Sequence, residues 1–310
     1  MNHNIAKFIA GVTALGIALA SPVAADPQKS PRPVATKQVP APPGLARPAL
    51  WKVADSDTTI YLFGTIHALP EGISWMEGPV AKAFNGSQLL VTEIPETPPA
   101  VLQGVVMNTA LLPKGKSLRA MMTKRDAALL EKTLKGFGLP GAALDQYEPW
   151  FAAITLATLP LAKSGFTAAN GVEAQLTTKA KAANRPQEGL ETAAQQLGIF
   201  DSLPQKTQLR YLHEVMTTLP DMSKQLNALV KYWSLGNPDK LALLMNADED
   251  DPQMMKALLF DRNRNWANWI RQRMAKPGAV FIAVGAGHLA GGQSVQAMLA
   301  KQGLRATRLQ

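Results

Sequence analysis

Two apolar stretches near opposite ends of this 310-residue chain are each followed by the same short motif, Gly-x-x-His. Residues 58–63 lead into Gly64-Thr-Ile-His67, and residues 279–284 lead into Gly285-Ala-Gly-His288. Short β-branched or apolar runs bounded by turn residues are typical of buried strands. The repetition at both ends indicates that the N-terminal and C-terminal parts of the chain build one sheet together.

The regions between these strands predict the fold class. Breaks at glycine and proline divide residues 118–274 into a series of helices. We therefore predict an α/β fold, with a central mixed sheet built from N- and C-terminal strands and a large helical insertion at about 118–274. The other predicted strands are 51–54, 89–93, 187–190 and 304–309, and further helices are predicted at 77–86 and 294–302.

The first 48 residues predict an exported protein with a linker. Residues 1–25 have Lys7, an apolar run of 13 residues and small residues before Asp26, which is typical of a cleaved signal peptide. An uncleaved anchor is the alternative, but the run is shorter than the ~20 residues that span a bilayer. Residues 26–48 carry seven prolines, a density that predicts an extended linker. The folded domain is then 49–310, periplasmic or secreted, without a later membrane span.

Composition limits the chemistry. The chain has no cysteine and four histidines, so any metal site must use imidazole and carboxylate groups. The net charge is +9, but no block of basic residues indicates a nucleic-acid partner. His213 lies among leucines, so we predict that it is a core or surface residue. The acidic run at 248–251 lacks the spacing of a calcium loop, and we predict that it is a solvated segment.

Three polar residues are predicted to meet at one edge of the sheet. His67 and His288 follow their strands directly, and Glu93 ends the apolar strand at 89–93. The carboxyl ends of parallel strands form the usual ligand crevice of an open α/β sheet. If the strands are adjacent, His67, Glu93 and His288 form a hydrolytic metal set. Each histidine alone could instead be structural, and Glu93 could be a cap. The motif glycines Gly64, Gly285 and Gly287 are expected to allow close backbone approach and positive φ.

Arg262 is predicted to be buried and paired. On a helix over 252–274, it shares one face with Met255, Leu258, Leu259, Trp266, Trp269 and Ile270. Its partner is Glu93, Glu191 or a substrate carboxylate, and a purely structural ion pair is the alternative. Asn263 lies off that face and could cap a neighbouring loop. Glu191 either joins the same sheet edge or simply starts a helix.

Several motifs together resemble the TraB/GumN family, which includes the animal Tiki proteases and is more distantly similar to erythromycin esterases and haem-binding ChaN proteins. The resemblance covers about residues 50–310. It is carried by the segments 61–67 and 281–291, by Thr92-Glu93, by 190–197, and by Asp261-Arg-Asn with Trp266. Gly171-Val-Glu173 stands where the family usually has an aspartate, which is a conservative departure.

The resemblance implies a metal-dependent hydrolase that acts on a peptide or ester bond, with Mn, Co or Zn as the divalent ion. In that scheme His67, Glu93 and His288 hold the metal, Glu191 moves the proton and Arg262 orients the substrate. Gly64, Gly285, Gly287, Glu173 and Asn263 support the site. The expected partner is a small molecule or peptide. The alternative is a binding or regulatory module without turnover, in envelope polysaccharide or haem handling.

Overall fold

The computed structural model describes residues 45–245 and 251–310. The predicted signal peptide, the linker up to residue 44 and residues 248–250 of the acidic run lie outside this part of the chain. Within it, the first residues before the sheet pack on the domain, since the Ala46 amide donates to the Ser74 carbonyl at 2.8 Å. No helix among the described residues combines the length and apolar character needed to cross a bilayer.

One mixed sheet of six strands forms the centre. Its order is β4-β3-β5-β2-β1-β6. Strands β4, β3, β5 and β2 run parallel to one another, whereas β1 is antiparallel to β2 and β6 is antiparallel to β1. The strands are Leu50–Ala54 (β1), Thr58–Thr65 (β2), Leu89–Thr92 (β3), Gln187–Gly189 (β4), Gly278–Gly285 (β5) and Thr307–Arg308 (β6).

Helices cover both faces of the sheet, and most of them come from the middle of the chain. A 3₁₀ turn at Leu219–Asp221, a π-helical turn at Lys256–Phe260 and a 3₁₀ turn at Ala286–Leu289 interrupt the α-helices. The α-helices are Gly78–Asn85 (α1), Pro99–Thr109 (α2), Leu118–Met121 (α3), Lys124–Gly136 (α4), Pro149–Lys163 (α5), Val172–Ala182 (α6), Ala193–Asp201 (α7), Gln205–Thr218 (α8), Met222–Ser234 (α9), Pro238–Met245 (α10), Pro252–Met255 (α11), Asp261–Arg273 (α12) and Val295–Lys301 (α13).

Alternate residues of the central strands enter two separate cores. Phe63 and Phe281 face the larger core, which includes the helices of the insertion, and their rings lie 5.5 Å apart. Ile60 and Ile282 face the smaller core on the other side, with Trp266 of α12. Because both faces are covered, the middle residues of the central strands are apolar on both sides, as in parallel strands generally.

The predicted α/β fold class is confirmed. Strand β5 lies between β3 and β2, with Thr65 of β2 beside Gly285 and Thr92 of β3 beside Ala283. The three strands predicted to be neighbours therefore are neighbours, and their carboxyl ends are level. The last strand is shorter than predicted because it pairs only with residues 51 and 52 of β1, at the edge of the sheet.

The π-helical turn changes which residues of the last long helix face inward. A π turn places one extra residue in the helical repeat and so rotates everything that follows. Asn263, predicted to lie off the buried face, is 2% exposed, whereas Trp269 is only partly buried. The buried face of α12 therefore carries Arg262 and Asn263 side by side.

Candidate functional site

The two Gly-x-x-His turns and the end of β3 lie at the same edge of the sheet. His67 follows β2, Glu93 follows β3 and His288 follows β5, which separates the other two strands. All three residues are buried, at 5%, 3% and 2% exposure. The topology therefore brings the three predicted residues to one edge, although their side chains have different partners.

Helix α6 holds the first turn. The Val172 amide donates to the Ile66 carbonyl at 3.0 Å, which joins the start of α6 to the backbone of the motif. Nδ1 of His67 lies 2.6 Å from Oε1 of Glu173, and the Thr65 hydroxyl donates to the same oxygen. A carboxylate behind an imidazole fixes the orientation of the ring. Glu173, which entered the prediction only as a supporting residue, is thus the direct partner of His67.

The motif glycines serve close packing. None of Gly64, Gly285 and Gly287 is among the positive-φ residues of the described chain, so the expectation of positive φ is wrong. A Cβ on Gly64 would lie 3.2 Å from Cα of Ala286, which means that the two Gly-x-x-His turns touch each other. A Cβ on Gly287 would overlap the Met245 side chain. Gly64 and Gly287 therefore allow close approach, as predicted, without a positive φ.

Arg262 stands at the centre of a buried cluster. Nη2 donates to Oε2 of Glu93 at 2.6 Å, and Nε donates to Oε1 of Glu191 at 2.9 Å. Nη1 donates to the Leu258 carbonyl at 3.0 Å and lies 3.1 Å from Nε2 of His288. The predicted pairing of Arg262 is confirmed, and it involves both glutamates. From the sequence, Glu191 could either join the sheet edge or simply start a helix, and in the structure it joins the sheet edge.

The contacts of His288 determine its tautomer. A guanidinium can only donate, so Nε2 of His288 accepts from Arg262 and Nδ1 must carry the hydrogen. That hydrogen is donated to Oδ1 of Asn263, at 2.6 Å between Nδ1 and Oδ1. Asn263 in turn donates to the Gln293 carbonyl at 2.8 Å, which is the loop contact expected of it. Burial lowers the pKa of His288 to about 3, and the charge of Arg262 acts in the same direction, so the imidazole is neutral.

Glu93 is a buried carboxylate that keeps its charge. Burial alone would raise its pKa, but the charge of Arg262, followed by smaller interactions with the two histidines and the Gly285 amide, lowers it to about 2. The Gly285 amide donates to Oε1 at 2.7 Å, and Nε2 of Gln196 donates to Oε2 at 3.0 Å. Both oxygens of Glu93 are therefore already engaged within the protein.

The predicted metal set can be tested against this geometry. Nε2 of His288 and Oε1 of Glu93 are 3.7 Å apart, close to the ~3.4 Å between two ligands of a tetrahedral zinc. However, Arg262 donates to both residues and occupies the lone pair of His288 that would face an ion. Among residues 45–245 and 251–310, no group of three or more histidine and acidic side chains is arranged to hold a metal. The residues as arranged do not fit the predicted three-ligand shell, and metal binding itself stays a prediction.

A cleft opens beside the first turn. It has a volume of about 520 Å³, and His67, Glu93 and Glu173 all line it. Glu96 and Lys181, also in its lining, form an ion pair with both side chains more than half exposed. Much of the remaining wall is apolar, from residues that include Ile94, Pro95, Pro99, Leu102, Ala168, Ala174 and Ala193. The lining does not include His288, Arg262, Glu191 or Asn263. The site therefore has one part that faces the cleft and a second part that is buried behind it.

Sequence reasoning missed three supporting contacts. Gln196 follows a capping box of Thr192 and Gln195, which fixes the start of α7 and directs the next side chain inward to Glu93. This signal was present in the segment 190–197. Thr65 lies inside the first motif. Trp233, whose Nε1 donates to the Gly64 carbonyl at 2.8 Å, comes from distant α9 and gave no signal in the sequence.

The other polar features lie away from this edge. Nδ1 of His213 is 2.7 Å from Oδ1 of Asp126, and the His213 side chain is 39% exposed, so it is a surface residue as predicted. Asp251, the described end of the acidic run, accepts from the Met254 amide at 3.1 Å and pairs with Arg210.

Comparison with known proteins agrees with the motifs. The model of the TraB/PrgY/gumN family matches residues 49–308. An uncharacterized protein, YbaP of Escherichia coli, is 23% identical over 252 residues, which cover 81% of this chain and 92% of that protein. An uncharacterized protein of Treponema pallidum is also 23% identical, with 82% and 80% of the two chains covered. No solved structure matches. Since the family model covers most of the chain, including both Gly-x-x-His turns, the chain belongs to the TraB/PrgY/gumN family.

Proposed function

We propose that this protein is an exported hydrolase that cleaves a peptide or ester bond in the cleft beside His67. The observation that carries the proposal is that His67, held by Glu173, lines a cleft at the carboxyl edge of the parallel strands. Ligand sites of open α/β sheets usually lie at this edge, and a cleft of several hundred Å³ suits a small molecule or a short peptide segment.

His67 is proposed as the group that moves the proton. With Nδ1 2.6 Å from Oε1 of Glu173, the ring is positioned to take a proton of the attacking water on its other nitrogen and to pass it to the leaving amine or alcohol. The Thr65 hydroxyl holds the same Glu173 oxygen and fixes the pair. Glu93 is a permanent negative charge in the cleft wall, and it stabilises positive charge that develops on His67 as the proton is taken.

Arg262 and Glu191, predicted from the sequence to be catalytic, are proposed to act by positioning. Neither lines the cleft: Arg262 contacts the lining residue Glu93, and Glu191 contacts Arg262. Their function in this scheme is to keep Glu93 ionised and in place. No step passes through an ion, and binding of Mn²⁺, Co²⁺ or Zn²⁺ is a separate proposal.

Hydrolysis of labelled casein and of p-nitrophenyl butyrate tests the proposal. Both are measured after EDTA treatment and with each of the three ions added. We expect turnover in the parent and a loss of about 10²–10⁴-fold in His67→Ala, the range for removal of an acid-base group. His213→Ala is the matched control, because it removes an imidazole paired with a carboxylate elsewhere. No turnover of either substrate under any of these conditions would refute the proposal.

A binding module without turnover is the second candidate. The apolar wall of the cleft and its volume of about 520 Å³ favour it equally. In that case haem or an envelope oligosaccharide binds to the parent with a measurable Kd, and Ala174→Trp, which fills the cleft, weakens binding. Absorbance titration with haem and calorimetry with oligosaccharides distinguish the two ligands.

Export is part of the proposal and rests on residues 1–25 of the sequence. We expect the mature chain to begin at Asp26. N-terminal sequencing of the protein from the periplasm or the medium measures this, and a retained Met1 would contradict it.

A further inference from the structure

The donors of Arg262 are surrounded by the atoms that usually surround a metal ion. The guanidinium donates to Oε2 of Glu93 at 2.6 Å and to Oε1 and Oε2 of Glu191 at 2.9 and 3.1 Å. It also donates to Nε2 of His288 at 3.1 Å. The Leu258 carbonyl completes the set at 3.0 Å. One imidazole and two carboxylates would be an ordinary ligand composition for zinc. Here they converge on a cation that belongs to the chain itself.

We propose that Arg262 is the resident cation of this cluster and stands where a metal ion would otherwise be held by Glu93 and His288. The two Gly-x-x-His motifs then have different functions. His67 of the first motif lies in the cleft wall with Glu173 behind it. His288 of the second motif is a neutral acceptor that, with Asn263, holds the guanidinium in place.

The charges of the cluster support this assignment. With His288 neutral, Glu93, Glu191 and Arg262 carry a net charge of −1, so the arginine is the source of positive charge inside the cluster. An ion at about 2 Å from Nε2 of His288 would meet the hydrogen of Nη1 and a like charge at short range. A metal can therefore reach His288 only if Arg262 leaves, and Arg262 is held by both carboxylates and by a backbone carbonyl.

The packing around Arg262 makes departure of the side chain costly. The residue is 3% exposed, and its guanidinium lies 4.7 Å from the ring of Trp266. Trp266 also donates from Nε1 to Oε1 of Glu191 at 3.0 Å, and its ring centre is 4.3 Å from that of His288. The aromatic ring thus packs against both the guanidinium and the imidazole of the cluster.

The wild-type protein gives the primary test. The ring nitrogens of His288, assigned with His288→Gln, are followed by ¹⁵N NMR while Zn²⁺ is added to the metal-free protein. We expect the Nδ1–H tautomer and no shift of Nε2 at Zn²⁺ concentrations that saturate other sites. A coordination shift of Nε2 would overturn the proposal. So would one tightly bound ion per chain that is lost in His288→Gln.

Truncation of the arginine gives the second test. In Arg262→Ala, the two carboxylates and Nε2 of His288 surround a vacated volume and a net charge of −2, so Zn²⁺ should bind. We expect an affinity at least roughly tenfold above that of the parent, and its loss in Arg262→Ala/His288→Gln. Arg262→Lys retains the cation and should gain no binding. Arg210→Ala, which removes an arginine paired with Asp251, is the matched control.

The outcomes separate a resident cation from a merely structural ion pair. A structural pair predicts that a folded Arg262→Ala gains no zinc affinity, and this result would overturn the proposal. If Arg262→Ala folds only in the presence of Zn²⁺, as a rise in its thermal midpoint with Zn²⁺ but not Mg²⁺ would show, the proposal is supported. If it does not fold under any condition, the ¹⁵N response of His288 in the parent and in Arg262→Lys decides the question.

Discussion

Gly171 is the position at which one methyl group should disturb both the fold and the site. It precedes α6, and its backbone angles, φ −58° and ψ 149°, are available to alanine. The conformation therefore adds no strain to Gly171→Ala. An added Cβ, however, would lie 2.6 Å from the carbonyl carbon of His67 and 2.9 Å from the carbonyl oxygen of Ala168. The effect of the substitution is steric, and it acts on the backbone of the candidate catalytic residue.

The magnitude follows from the overlap. The added Cβ would lie closer still to the His67 carbonyl oxygen, so the 3.4 − 2.6 = 0.8 Å that restores an ordinary contact with the carbonyl carbon is the least distance by which the His67 backbone and the start of α6 must separate. Both neighbours are backbone atoms and cannot rotate away as a side chain would. Overpacking of this kind typically costs about 1–3 kcal/mol, and we expect the upper end, about 3 kcal/mol. Because Glu173 moves with α6, the His67–Glu173 pair should open and hydrolysis should fall by about 10²-fold.

Urea unfolding followed by far-UV circular dichroism measures the stability change. Gly104→Ala is the matched control, because Gly104 is an exposed position inside α2 with no atom within 4 Å of the added Cβ. That substitution should stabilise the protein by about 0.5–1 kcal/mol. If Gly171→Ala unfolds within 1 kcal/mol of the parent while the control behaves as expected, the inferred contact between α6 and the first turn does not exist.

Three further predictions concern the fold. Deletion of β5 and everything after it should abolish cooperative unfolding, because β5 pairs with both β2 and β3; a soluble fragment with a sharp melting transition would contradict this. Trp233→Phe should destabilise the protein by at least about 1–3 kcal/mol in urea, since it leaves the buried Gly64 carbonyl without its donor. Burial raises the pKa of Asp126, but hydrogen bonds from Thr123 and His213 lower it below the ordinary 3.8. A carboxylate whose pKa is lowered on folding stabilises the protein while it is ionised, and this contribution is lost as the pH falls through the pKa of the folded state. Asp126→Asn should therefore destabilise the protein at pH 7 and not at about pH 2.

The strand assignments could be read from the sequence because they depend on local pattern. Short apolar runs ended by glycine identify β2 and β5, and the matching motif after each places them in one sheet. Since parallel strands share a carboxyl edge, the approach of His67, Glu93 and His288 to that edge follows as well. This part of the prediction needed no knowledge of side-chain packing.

The partners of these residues could not be read in the same way. A free imidazole at a strand end is compatible with a metal, a carboxylate or a guanidinium, and the sequence motif is the same in each case. The motif after β2 meets Glu173 of α6, whereas the motif after β5 meets Arg262 and Asn263 of α12. Two copies of one motif thus acquire different chemical environments from the helices that pack beside them.

The sequence by itself determined the strands, the helical insertion, the edge at which the polar residues gather and the burial of an arginine that needs a carboxylate. The tertiary structure decided which carboxylates and which imidazole that arginine meets. The π-helical turn at Lys256–Phe260 contributes to this, because it shifts the buried face of α12 so that Asn263 joins Arg262 on it. Such a rotation depends on the packing of α12 against the sheet and changes no local sequence pattern, so only the folded chain shows that the centre of the cluster is a guanidinium.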